Sequence, residues 1–152
     1  MHNPKPARFI TSGASCHFYR HGKYALLLNP VMFRDSKDHM HTAHPGLFTD
    51  GRSGKIGYYI IGSPFRTEYL EAYILHDWYC AKAKLLEPEL RAIVRDAADL
   101  QLRNETLPAL GAGLPRRVAT YRAVRWHAWC HRDDEAGTWT ADFLSEDASH
   151  TV

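Results

Sequence analysis

The hydrophobic spacing changes period part-way along this chain, and that change limits the fold more than any other feature. Tyr24 to Phe33 (YALLLNPVMF) reads as extended, β-leaning structure interrupted at Asn29-Pro30. Proline has no N–H for a strand ladder, so this segment suits an edge or a bend more than a central strand. Ser36 to Pro45 reads as a His-rich connection, and Gly46 to Asp50 as a short strand ending in a turn. Gly51, Gly54, Gly57 and Gly62 then punctuate the chain. Beyond Ser63-Pro64, apolar residues recur at helical spacing. Tyr69, Tyr73, Ile74, Cys80 and Ala81 predict a first helix over about 65–84. Pro88 opens a second over 88–106, with Leu90, Ile93, Val94, Ala97 and Ala98 as its expected buried stripe. Pro115 opens a third over 115–131, through Val118, Tyr121, Val124 and Ala128. Proline suits a first helical turn because its missing N–H would have no partner there. Short strands followed by packed helices define an α+β domain.

At 152 residues, the chain suits one domain with a real core and needs no metal or disulfide merely to fold. The expected division is an N-terminal arm or irregular edge (1–22), a globular domain (23–132) and an acidic tail (133–152). Three cysteines, Cys16, Cys80 and Cys130, are too few and too scattered for a disulfide framework or zinc ribbon. The first residues lack the apolar run of a secretory signal, and no stretch approaches a membrane span. A reducing compartment, or carriage on a virus particle, is the expectation. A net charge of +2 makes no whole-molecule case for nucleic acid. That charge is unevenly spread, with five arginines and no acids in 115–132, then six acids and no Lys or Arg in 133–152.

His76-Asp77, on the first helix, is the strongest candidate for chemistry. Adjacent helical residues point about 100° apart, so His76 can face a neighbouring helix while Asp77 faces a loop. That suits a base beside a metal ligand better than two members of one hydrogen-bonded pair. Imidazole can accept a proton from water near neutral pH, and it needs an acidic partner to orient it. Asp96 and Asp99 on the second helix are the candidates. The alternative is a half-buried dipeptide whose hydrogen bonds are purely structural.

Phe48-Thr49-Asp50-Gly51-x-Ser53, His76-Asp77-Trp78-Tyr79, Ala98-Asp99 and Tyr121-x-Ala123-Val124-Arg125 occur in that order. Together they resemble an uncharacterised family frequent in phage and prophage genomes (domain of unknown function 1353), whose members read GFxTDGAS, HDYLY, EADRIF and YxAVR. The resemblance spans about Tyr24 to Cys130. The chain departs from the pattern at Gly54-Lys55 and at Cys80, which stands where the second tyrosine of HDYLY would be.

The order Asp-Gly-x-Ser, then His-Asp, then an Asp on the next helix is also similar to prokaryotic phospholipase A2. That resemblance implies His76 as general base, Asp99 as its orienter, and Asp77 as a calcium ligand with Asp50 in the metal loop. Calcium takes oxygen ligands and can stabilise an oxyanion formed by water attack on an ester. The function expected is thus a calcium-dependent, phospholipase A2-like hydrolase of phage origin, acting on phospholipid. The alternatives are a hydrolase of another cell-envelope bond and a non-catalytic virion or tail-associated assembly protein. A homo-oligomer is compatible with either class, as is a place in the host cytoplasm or on the virion.

Two further clusters stand out. His39, His41 and His44 have a spacing that can bind zinc or nickel, but no carboxylate or thiol completes the set in sequence, so a solvated loop is preferred. The helix from Pro115 to Arg132 interleaves arginines with Trp126 and Trp129, as at a headgroup surface, a nucleic-acid backbone or a protein interface. A solvated face is the alternative there. Arg125 itself is expected to be a structural ion-pair partner.

Overall fold

The computed structural model describes residues 6–19, 24–49 and 68–130. Six short strands come first: β1 (Arg8–Phe9), β2 (Cys16–Tyr19), β3 (Tyr24–Leu27), β4 (Val31–Arg34), β5 (Met40–Ala43) and β6 (Phe48–Thr49). They form two antiparallel three-stranded sheets, ordered β1-β4-β5 and β2-β3-β6. The chain changes sheet at Asn29-Pro30, so the proline interrupts neither ladder. Asn29 Oδ1 accepts the Ser15 N–H at 2.6 Å, and the Ser15 carbonyl accepts the Leu28 N–H at 2.8 Å. The bend expected at Pro30 is there, but β3 and β4 are each the middle strand of their sheet rather than an edge.

Two other expectations are corrected in this half. The boundary placed at residue 22 falls inside the folded unit, because β1 pairs with β4 and β2 with β3. Phe9 also packs on Phe33, with ring centroids 4.9 Å apart. Backbone pairing ties these edge strands down without any long apolar period. Met40–Ala43, expected as a connection, is β5. It pairs along its length with β4 and buries Ala43. Acidic residues 133–152 lie outside the described residues, as do Asp50 and Ser63-Pro64.

Three helices follow: α1 (Leu70–Ala83), α2 (Pro88–Gln101) and α3 (Leu114–Cys130). The layout is α+β, as expected. Within its expected range α2 passes into a π-helical stretch, Leu102–Thr106, and beyond it closes in an α-turn, Leu107–Ala109. Pro108 therefore ends the helix from within its last turn. The stop is a Schellman motif. Gly111 takes φ 82°, its N–H reaches the Pro108 carbonyl at 2.9 Å, and the Ala112 N–H reaches the Leu107 carbonyl at 3.0 Å. Leu107 and Ala112 are buried in one cluster, which completes the motif's apolar contact.

α1 lies between the strands and the other helices. Ile74 and Leu75 pack with Leu27, Val31, Phe33, Ala43 and Leu47. Ala72 and Tyr73 pack with Leu102, Leu107, Ala112 and Val124. Cover on both sides buries the consecutive run Ala72–His76 and explains why α1 lacks a clean amphipathic stripe. The expected stripe of α2 is buried only in part: Ala98 turns inward and Val94 is half-buried, but the inward face is rotated away from the rest. Ala98, Asp99, Leu102 and Thr106 are buried, whereas Leu90 is 52% and Ile93 63% exposed. Ala97 is exposed as well. A small alanine lets α1 and α2 approach closely, and a carboxylate that must meet His76 fixes the rotation of the helix. Apolar periodicity alone centres the buried face nearer Leu90 and Ile93.

Candidate functional site

His76 sits in the middle of α1 with only 6% of its surface exposed, and Asp99 on α2 has 4%. The imidazole Nε2 lies 2.8 Å from Asp99 Oδ1. A carboxylate can only accept, so Nε2 carries the proton and Nδ1 is the nitrogen left for proton transfer. Of the two acids considered on α2, Asp99 meets the ring, while Asp96 points outward to Arg125 on α3. The Arg125 guanidinium also stands 3.5 Å from Asp99 Oδ2. Histidine, carboxylate and guanidinium therefore link all three helices. Arg125 is an ion-pair partner, and Asp96 is the residue that orients it.

Asp77 faces the strands. Its Oδ2 accepts the hydroxyl of buried Thr49, the last residue of β6. Its Oδ1 lies 3.4 Å from His76 Nδ1. The neighbours on α1 are thus not fully independent: Asp77 makes a long contact with the ring that Asp99 holds closely. Cys80, one turn further along, places Sγ 3.7 Å from Nε2 and 3.9 Å from Nδ1. Burial alone would push the His76 pKa down. Cys80 and the hydrogen bonds to Asp77 and Asp99 outweigh it and raise the imidazole well above its ordinary value. That shift favours the protonated ring, and a carboxylate or thiol stands near each of its nitrogens.

Calcium would need several oxygen ligands. Asp77 and Thr49 supply oxygens of the right hardness. Among the described residues, no group of three His, Cys, Asp or Glu could hold an ion. Asp50, the second acid expected there, and the glycines after it lie outside the described residues.

The histidine cluster is organised by a residue that sequence reasoning missed. Asp35, buried just after β4, accepts from His41 Nε2 at 3.1 Å and His39 Nδ1 at 3.2 Å. It also accepts the backbone N–H groups of Lys37 at 2.9 Å and His39 at 2.8 Å. Burial by itself would raise its carboxyl, but these hydrogen bonds prevail and hold it at about 2. With Nε2 donating to Asp35, His41 Nδ1 accepts the Tyr79 hydroxyl at 2.6 Å. His44 instead packs against Trp78, with ring centroids 5.3 Å apart. His41 is therefore a hydrogen-bonded tie from β5 to α1, His39 stays exposed and bonds Asp35 within the hairpin, and His44 is an exposed ring against Trp78, so the cluster is part structural and part solvated. The signal available in sequence was Asp35 lying four and six residues before His39 and His41, a spacing that only the tight turn at Asp38 (φ 70°) brings together.

Much of the basic helix is committed within the domain. Arg116 lies 5.2 Å over Tyr69, and Arg117 Nε donates to the Arg103 carbonyl at 2.9 Å. With Arg125 on its acids, this face offers less free charge than the sequence suggests. No described helix is long and apolar enough to cross a membrane.

Residues 25–124 match the family described as Protein of unknown function (DUF1353). The chain belongs to that family. The match covers β3 to α3, and so includes Thr49, His76, Asp77, Asp99 and the edge of the helical core. No curated protein and no solved structure matches the chain.

Proposed function

We propose that this member of the DUF1353 family is a calcium-dependent, phospholipase A2-like ester hydrolase of phage origin. The observation that carries the reading is the 2.8 Å contact from His76 Nε2 to Asp99 Oδ1. It orients the ring, fixes which nitrogen bears the proton and leaves Nδ1 to take a proton from water. Water then adds to the ester carbonyl, the tetrahedral oxyanion collapses, and the alkoxide leaves with the proton that Nδ1 had taken up. Arg125 holds the second oxygen of Asp99 and so steadies the orienting carboxylate. Calcium, held by Asp77 with Asp50 and carbonyls near it, would supply positive charge for the oxyanion.

A second reading has its own observation. His76 is nearly inaccessible and contacts a carboxylate through each nitrogen, as a purely structural ion pair would. On that reading the scaffold serves assembly among virion proteins, and the His-Asp network replaces apolar packing at the helix junction. Incubation of the purified chain with anionic phospholipid vesicles and mixed micelles separates the two. Fatty-acid release that requires calcium and disappears in His76→Ala supports the hydrolase. No release from either substrate, with calcium present and folding intact, supports assembly. Release of soluble fragments from cell-envelope material instead would move the substrate to another envelope bond.

A further inference from the structure

We propose that Cys80 is the first nucleophile of the site, and that ester cleavage passes through a thioester on its sulfur. The inference rests on the hydrolase reading for its substrate, a carboxylic ester, and shares His76 and Asp99 with it. It changes which group attacks the carbonyl.

Cys80 follows His76 by four residues on α1, so both side chains leave the helix on one face. Its Sγ lies 3.7 Å from the ring's Nε2 and 3.9 Å from Nδ1. Asp99 Oδ1 accepts the Nε2 proton at 2.8 Å, which leaves Nδ1 to take the thiol proton. Sulfur, imidazole and carboxylate are thus the parts of a thiol-based catalytic triad. Exposure decides between this thiol and a water. The His76 ring is 6% exposed, and Asp77 and Cys80 already stand beside its Nδ1. A water poised there would have to fit among these groups, and the ester would have to follow it inward. Cys80 is a free thiol and only half-buried, so it can meet an ester that the ring cannot reach. Cys16 differs, because it packs on the strand core and its thiol is raised by burial and by the Glu71 charge.

The reaction runs in two halves. Nδ1 takes the proton from Sγ, and the sulfur adds to the ester carbonyl. The tetrahedral oxyanion collapses, the C–O bond to the alcohol breaks, and the leaving alkoxide takes the proton from Nδ1. The acyl group stays on Sγ as a thioester. Water then gives a proton to Nδ1 and adds to the thioester carbonyl as hydroxide. The C–S bond breaks, the acid leaves, and the proton on Nδ1 returns to the sulfur.

Mixing the full chain with 4-nitrophenyl butyrate and quenching in acid tests this. Mass analysis should show one butyryl group, and peptide mapping should place it on Cys80 rather than Cys16 or Cys130. Neutral hydroxylamine should remove it, as it removes a thioester. His76→Gln should slow this acylation by about 100-fold or more. Cys80→Ala and the near-isosteric Cys80→Ser, with circular dichroism matching the wild type, should both lose most fatty-acid release from phospholipid vesicles. Release that persists in both variants, with no acyl group on wild-type Cys80, overturns the thioester and leaves the hydrolase reading standing. Absence of both acylation and release overturns the two together. Acylation of Cys80 without release from vesicles supports the thioester and moves the substrate to another ester. Acylation as fast in His76→Gln as in the wild type would mean an accessible thiol without the triad, and overturns the proposal.

Discussion

Asp99 reaches His76 from the neighbouring helix at 2.8 Å although 23 residues separate them in sequence, and both side chains are almost wholly buried. Removing one partner leaves a buried charge without compensation. Asp99→Ala should therefore cost about 3–5 kcal/mol of folding stability, read as a lower urea midpoint. Asp99→Asn keeps the shape, and should lose less stability while still slowing any turnover that depends on the ring's tautomer. Equal loss in both variants would argue that Asp99 acts only as an anion.

The His76 imidazole is raised well above its ordinary value, which favours the protonated form, and a protonated ring cannot act as a base. Hydrolysis that uses His76 should climb on the alkaline side of neutrality and reach its plateau above the raised pKa. The ring's contribution to stability runs the other way. It is present in full below the unfolded value near ~6.5 and is lost as pH rises through the folded value. Rate profiles and urea titrations at matched pH values should thus move in opposite directions, and His76→Gln should flatten the second.

Asp35 has the opposite sign. Its carboxyl is held at about 2 in the folded chain, against an unfolded value near ~3.9. The stability it contributes is present above ~3.9 and fades as pH falls towards 2. Asp35→Asn should remove that acid-side slope, and unfolding curves collected between about pH 5 and pH 2 would reveal it.

Tyr79 donates at 2.6 Å to His41 Nδ1 and so ties α1 to β5. Tyr79→Phe should cost about 1 kcal/mol. Combined with His41→Phe, the loss should be smaller than the sum of the two single losses, as expected for residues that interact directly. Additive losses would mean that the two rings only pack.

Asp77 stands next to Trp78, which makes cation binding visible without any substrate. Terbium, a calcium mimic, should show tryptophan-sensitised luminescence that calcium displaces. Asp77→Asn should abolish the signal while leaving helicity unchanged. Luminescence that survives the substitution would remove Asp77 from the calcium reading.

The division into short strands and three helices was legible in the residues themselves, because strand and helix periods and the prolines that open helices are local properties. The residues also pointed to His76-Asp77 and to Arg125 as an ion-pair partner, while the family resemblance set Asp99 ahead of Asp96. The rotation of α2 about its axis was settled by contacts distant in sequence. Leu90 and Ile93 make an outward apolar stripe as good as any core stripe, and the choice rests on Asp99 finding His76 across the helix pair. Tertiary structure also decided the Asp35–His41–Tyr79 chain. Its members lie on a strand end, a neighbouring strand and a helix, and no local period connects them. A titratable group gains or loses its partner through contacts distant in sequence, and for that reason the site's electrostatics were the part least legible from the chain alone.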